Sequence, residues 1–230
     1  MKHTAPELTE QESLPIATRS EPSVATATGE LEVSTATIRR FLGVADAEFL
    51  ELCVFINGRP WVQHVGNYAD HVRALRKAET MGGYGGAYQL VNGPVDPALG
   101  ARYEPGKWHA AWNGRATDRD IGNLRALFLD IDSVRPKGIS STDNQLEEAR
   151  KVAWEVRAWL NEHIGDRSST GLGCSGNGFF LLVALEPIAP TKETTARISQ
   201  FLGLLQKKFG SDSTKIDASV ANPARLGHPT

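Results

Sequence analysis

Asp130 and Asp132 close an apolar run, Ala126-Leu127-Phe128-Leu129-Asp130-Ile131-Asp132, and their spacing is the feature of the chain that carries the most chemistry. A run this apolar is expected to be a buried strand, where alternate residues share a face, so the two carboxylates project side by side. Like charges so placed repel unless a cation lies between them, and clustered hard oxygens suit Mg²⁺ or Mn²⁺. The plainer alternative is a strand end whose acids are simply solvated, and the triplet alone does not decide between the two.

Two further segments offer partners. Ser175-Gly176-Asn177-Gly178 lies immediately before an apolar strand, and small residues there let backbone N–H groups and a hydroxyl approach phosphate oxygens. An ordinary Gly-rich hairpin turn has the same composition. Asp217, in Thr214-Lys215-Ile216-Asp217, is a third isolated acid. If its strand neighbours the first, three carboxylates can hold two divalent cations, which clamp the attacking and leaving oxygens of an in-line phosphoryl displacement. Competing motifs are weaker. Gly171-Leu172-Gly173-Cys174-Ser175-Gly176 has dinucleotide-binding spacing but precedes a strand rather than a helix. Residues 100–107 (GARYEPGK) place five residues rather than four between the glycines, and Trp108 stands where a phosphate loop needs a hydroxyl. Ser175 lacks the strand-to-helix elbow of a serine hydrolase. None of the six histidines sits at i, i+4 with a second ligand, so zinc is not indicated.

The elements that must position these groups follow from periodicity. Residues 49–55 (FLELCVF) and 61–65 are expected as strands around a Gly58 turn, followed by a helix capped by Asn67 with Tyr68, Val72, Leu75 and Ala78 on one face, ended by Gly82-Gly83. Residues 87–91 are expected as a strand running into a proline-punctuated loop from Asn92 to Pro97. After the D-x-D strand, Thr142 and Gln145 are spaced as a capping box for a helix carrying Leu146, Ala149, Ala153, Val156 and Leu160, with Glu147 and Lys151 one turn apart and Gly165 as its stop. A Ser/Thr/Gly loop then leads to a strand at 179–185 (FFLLVAL), and Thr191 caps a helix bearing Ile198, Phe201, Leu202, Leu205 and Phe209 before Gly210. Strand-helix-strand-helix order points to the α/β (α+β) class.

The chain has 230 residues, 40% hydrophobic and 23% charged, enough for one large domain or two small ones. Nothing approaches a membrane-spanning run or an apolar signal core, so a cytoplasmic protein without a membrane partner is expected. Residues 1–35 hold two bases and six acids, which leaves the rest faintly basic, at +2, against a whole-chain net charge of −2. That tail is poor in aromatics and is expected to be disordered, leaving residues 36–230 as the folded domain. Cys53 and Cys174 suggest neither a disulfide framework nor a thiolate metal site, and each is expected to be buried or inert.

Taken in order, Leu129-Asp130-Ile131-Asp132, Val134-Arg135-Pro136 with Gly138-Ile139-Ser140, then Ser175-Gly176-Asn177-Gly178, then Asp217 with Asn222-Pro223-Ala224-Arg225, the chain closely resembles the primase-polymerase branch of the archaeo-eukaryotic primase superfamily, found in plasmid, phage and CRISPR-associated replication proteins. Residues 48–52, 82–91 and Asn92-Gly93-Pro94-Val95 look like that family's domain start, so the likeness runs from about Ala45 onward. It implies a two-part core, an N-terminal α/β unit packed on a unit like an RNA-recognition fold, with the site between them. It also implies that Asp130, Asp132 and Asp217 bind Mg²⁺ or Mn²⁺, that Ser175, Gly176, Asn177, Gly178 and the residue at 180 line the incoming triphosphate, and that Arg225 contacts nucleotide or template. The implied partners are a DNA template, nucleoside triphosphates and a helicase domain or subunit.

Two departures bear on activity. The family pattern S-G-x-G-x-H ends in a histidine that touches phosphate, and Phe180 stands there, with no hydrogen bond to donate. Losing one such donor costs about 10²- to 10³-fold in rate. The family continues past N-P-A-R with a basic residue, a Gly-Thr turn and further strands, whereas this chain reads Leu226-Gly227-His228-Pro229-Thr230, the ending expected of a fragment or a degenerate relative, with His228 a minor candidate for a replacement donor. The expectation is a metal-dependent nucleotidyltransferase that makes or extends primers. The alternatives are an impaired relative that retains nucleotide or single-strand binding, and a metal-dependent glycosyltransferase, which would leave Asp217 and the Asn-Pro-Ala-Arg segment without a role.

Overall fold

The computed structural model describes residues 49–93, 103–104, 106–111, 114–164 and 170–227. The expected tail, the start of the family likeness before residue 49, most of the proline loop, part of the 100–107 segment, Gly165 and His228 lie outside the described residues.

Two antiparallel sheets organise the chain. The first begins as a hairpin of β1 (Leu50–Ile56) and β2 (Arg59–Val65), joined by Asn57-Gly58 with both residues at positive φ, the turn whose twist matches paired strands. Helix α1 (Tyr68–Glu79) follows, its first turn closed by the Asp70 N–H donating to the Asn67 side chain at 2.9 Å. Strand β3 (Tyr84–Leu90) pairs with β1, β4 (His109–Ala110) with β2, and β9 (Leu226–Gly227), the last described strand, with β3, giving the order β4-β2-β1-β3-β9. Leu50, Leu52 and Val54 of β1 pack with Ala74, Leu75 and Ala78 of α1 in one core.

The second sheet is built from β5 (Leu124–Ser133), β6 (Thr170–Cys174), β7 (Gly178–Ile188) and β8 (Thr214–Ile216), with α2 (Asp143–Ile164) after β5 and α3 (Lys192–Phe209) after β7. Chain order β-α-β-β-α-β with sheet order β6-β7-β5-β8 is the split βαβ arrangement. The class is α+β, as expected, and among the described residues every strand pair is antiparallel. Leu127, Leu129 and Ile131 of β5 belong to a core with Ala153, Val156 and Leu160 of α2 and Leu202 and Leu205 of α3. Helix α2 carries the expected capping box, the Thr142 N–H donating to Gln145 Oε1 at 2.9 Å and the Gln145 N–H to Thr142 Oγ1 at 3.3 Å. Thr191 Oγ1 caps α3, accepting from the Thr194 N–H at 3.0 Å. Glu147 pairs with Arg150 rather than Lys151, because the fork of Arg150 meets both carboxylate oxygens at 2.7 Å.

One local expectation changes. The Ser/Thr/Gly stretch is partly strand, since Thr170–Cys174 pairs along β7. Its glycine at 173 is what allows the pairing to be dense, because the Phe180 ring fills the space a Cβ there would need. Cys53 is buried, with its thiol pushed up to about 11 by burial, but Cys174 is exposed at the end of β6.

Asn92 ties the two sheets together. Its buried side chain follows β3, accepts from the Arg125 and Ala126 N–H groups at 3.0 and 3.1 Å where the β5–β7 register shifts, and donates to the Pro223 carbonyl at 3.2 Å. Beside it the Val91 N–H donates to the Arg225 carbonyl at 2.9 Å. Truncating Asn92 would strand several buried polar groups at once, so Asn92→Ala is expected to cost roughly 2–4 kcal/mol, read as a lower urea midpoint with an unchanged slope.

Candidate functional site

The pleat of β5 sorts its residues. Leu127, Leu129 and Ile131 turn toward the helices, which leaves Phe128, Asp130 and Asp132 on the opposite face. Strand β8 runs antiparallel beside it, with Asp132 opposite Lys215 and Ile131 opposite Ile216, and the ladder continues as the Asp217 N–H donates to the Asp130 carbonyl at 2.9 Å. Directly opposed residues of an antiparallel pair share a face. Asp130, Asp132, Lys215 and Asp217 therefore emerge together.

Arg225 reaches this face from the segment between the sheets. Its Nη2 lies 3.2 Å from Asp130 Oδ2, and its guanidinium sits 5.4 Å from the centroid of the Phe128 ring. Asn92 on one side and Asp118 on the other hold its approach, since Asp118 Oδ1 accepts from the Ala224 N–H at 2.9 Å. β9 comes so close that a Cβ at Gly227 would lie 3.0 Å from Val91 and 3.1 Å from Phe128.

The electrostatics are uneven. Burial, reinforced by the negative charges of Asp132 and Asp217 and opposed by Arg225 and Lys215, pushes the Asp130 carboxyl up to about 6. Burial also acts to raise Asp217, but hydrogen bonds from Ser219, with Arg225 and Lys215 nearby, outweigh it and hold that carboxyl below its ordinary value. Asp217 Oδ1 accepts from the Ser219 N–H at 2.8 Å and so caps the short 3-10 helix Ala218–Ala221. The donor set, carboxylate oxygens on one face, is of the hard type that a divalent cation takes. With Arg225 on Asp130 and Ser219 on Asp217, however, the described residues contain no group of three acidic, histidine or cysteine side chains gathered tightly enough to ligate one ion.

The glycine turn borders Asp132. Gly178 is its direct partner across β5–β7, and a Cβ there would lie 2.8 Å from Asp132 Oδ1 and collide with the Ile131 carbonyl, so only glycine lets the strands approach. Gly176 takes φ +85°, and the Ser175 N–H closes the turn on the Gly178 carbonyl at 2.9 Å. Asn177 points inward to structure: its Oδ1 accepts from the Ser141 N–H at 3.1 Å and its carbonyl from Ser141 Oγ at 2.6 Å. That side chain anchors the turn to the loop before α2, while Ser175 and the exposed Gly176 remain at the tip. Phe180 lies directly opposite Asp130, but its ring is 3% exposed and stacks on Phe128 with centroids 5.7 Å apart. The face thus divides into an acidic end and an aromatic end.

Lys215 and Asn92 escaped the sequence reading. The alternation Lys215-Ile216-Asp217 marks Lys215 as a neighbour of the acids once the segment is read as a strand. A lone Asn ahead of Gly-Pro looks like any turn residue and gives no such signal. Comparison with known proteins finds no matching family model, curated protein or solved structure.

A raised native pKa fixes the sign of a pH effect. Asp130 takes up a proton more readily in the folded state, so its contribution favours folding fully below about 3.8 and is lost as pH rises through about 6. In metal-free buffer at pH 8, Asp130→Asn is expected to be more stable than the parent by up to about 3 kcal/mol, with the gain gone by pH 4, as measured by urea unfolding across pH.

Proposed function

We propose that the chain is a metal-dependent nucleotidyltransferase that synthesises or extends primers on a DNA template from nucleoside triphosphates, working with a helicase domain or subunit. The observation that carries this reading is the β5–β8 pairing, which sets Asp217 beside Asp130 on the face that also bears Asp132, bordered by Arg225 and the Ser175–Gly178 turn. Asp130, Asp132 and Asp217 would hold Mg²⁺ or Mn²⁺, and the bound ions would supply charge neutralisation on the phosphoryl group being transferred. Arg225 serves as the fixed counter-charge of Asp130, and its guanidinium has further donors for a phosphate oxygen. Ser175, at the tip of the turn, offers a hydroxyl to a triphosphate, and Gly176, with no side chain beside it, leaves room for the phosphates to approach.

A second reading rests on Phe180. A buried ring at the aromatic end of this face cannot donate to phosphate, which favours a relative that binds nucleotide or single strands and catalyses weakly.

Extension of a labelled primer with Mn²⁺ separates the two. Under the first reading the parent extends and Asp130→Ala falls by about 10²-fold or more. Extension by Phe180→His alone would move the assignment to the second reading, and equal extension by parent and Asp130→Ala would overturn the metal site.

A further inference from the structure

The end strands of the two sheets differ in how they are protected. An edge strand presents a row of N–H and C=O groups that another chain can extend, and folded chains blunt such edges by shortness or by charge. Strands β4 and β9 have two residues each, and β8 has three with Lys215 at its centre. Strand β6 has five, Thr170-Gly171-Leu172-Gly173-Cys174, without a charge or a proline. Among the described residues its one strand neighbour is β7.

The hairpin fixes which groups of β6 face outward. The Ser175 N–H closes on the Gly178 carbonyl, so in the alternation of an antiparallel ladder Gly173 and Gly171 turn their backbone groups toward β7. The N–H and C=O groups of Thr170, Leu172 and Cys174 then point away from the sheet.

A stripe of α2 runs beside this edge. Arg157 Nε donates to Thr170 Oγ1 at 3.0 Å, and Thr170 Oγ1 donates to Asn161 Oδ1 at 3.5 Å, which seats the later turns of the helix at the start of β6. Strands β5 and β6 both run antiparallel to β7 and α2 returns from one to the other, so helix and β6 run in opposite senses. Trp154, about two turns before Asn161, therefore lies toward the Cys174 end, and Ile164 lies toward the Thr170 end. Each of these two apolar side chains is 46% exposed, and the charge between them, Arg157, is held 5.0 Å from the centroid of the Trp154 ring.

We infer that two copies of the chain pair through β6, antiparallel about a two-fold axis at Leu172, joining their four-stranded sheets into one. A second copy is the occupant this surface fits because the edge is complementary to itself. With Leu172 on the axis, Thr170 stands opposite the other copy's Cys174, and each opposed pair exchanges both its N–H and its C=O. No charge in β6 opposes the approach. The reversal of direction also brings Trp154 of one copy to the Ile164 end of the other, so apolar surface meets apolar surface at both ends of the stripe. The two-fold closes the contact at two copies. The strand is about 16 Å long and the stripe about 15 Å, a contact at the low end of specific interfaces, about 1,200 Å² in total or less, so the dimer is reversible at micromolar concentration. Strand β7 lies between this edge and the acids of β5, so the pairing stands or falls separately from the proposed reaction.

Sedimentation velocity of the full chain from about 1 to 200 μM is expected to show a reversible monomer–dimer equilibrium. Trp154→Glu, at an exposed helix position, is expected to raise the dimer Kd about 10-fold or more with helix content unchanged by circular dichroism. Thr170→Cys, oxidised by glutathione disulfide where the dimer is populated, is expected to give a covalent dimer whose linkage, read by peptide mass spectrometry, joins position 170 of one copy to 174 of the other. Residues opposed in a hydrogen-bonded antiparallel pair lie about 5.5 Å apart between Cα atoms, within the reach of a disulfide. A chain that stays monomeric across the whole range overturns the pairing. A linkage of 170 to 170 or of 174 to 174 overturns it as well, and so does a dimer that forms without the 170–174 linkage, which would place the contact on another face; should sedimentation and cross-linking disagree, the linkage decides.

Discussion

Negative charge crowded onto one face of β5 is the constraint around which this molecule is arranged. Asp130 and Asp132 must share a face because the strand's other residues supply the core for α2 and α3, and a shift of one position would drive both carboxylates into that core. The antiparallel partner adds Asp217 to the same surface. Such a surface opposes folding, as the elevated Asp130 carboxyl records. A sheet shaped only for stability would place hydrophobic or neutral residues there, so the acids are a local conflict of the kind expected at a functional surface.

The remainder of the fold supplies the counter-charge. Arg225 lies in the segment between the short 3-10 helix and β9, and by itself that segment would have many conformations. Asn92 fixes it through Pro223, Asp118 fixes it through Ala224, and pairing with β3 fixes it through Leu226 and Gly227. Those three attachments come from the first sheet and from the connection leading into β5. Two sheets with separate cores therefore meet where the acidic face needs a cation, which explains why a buried asparagine side chain bonds backbone at two separate places, Arg125-Ala126 and Pro223.

How much of this was legible depended on the range of the interaction. Caps at Asn67, Thr142 with Gln145, and Thr191 were readable because donor and acceptor lie within one turn. The D-x-D face was readable because the pleat has a strict period of two. Strand β6 was not, since Thr170-Gly-Leu-Gly-Cys has little intrinsic strand preference and is held as a strand by its neighbour, with the Phe180 ring filling the space above Gly173. Alternation of strands and helices likewise left open whether sheet neighbours run parallel, a matter of which strands meet and not of any one segment. The Asn177 side chain shows the same limit from another direction: a turn motif indicated small residues near phosphate, but its amide was recruited to hold the loop at Ser141.

The placement of Phe180 follows from its surroundings. On the same face as Asp130, an aromatic ring has two options: project into water among charges, or lie flat over an adjacent strand. Gly173 makes the second possible, and Phe128 extends the apolar surface so that the ring stacks and is buried. Arg225 lies over the Phe128 ring, so the counter-charge of Asp130 is held partly by a π face. The aromatic end is thus coupled to the acidic end through Arg225. Phe180 stacks on the same ring that Arg225 lies over, so a polar side chain introduced at 180 would alter the apolar support of that ring and the hydrogen-bonding capacity of the face together.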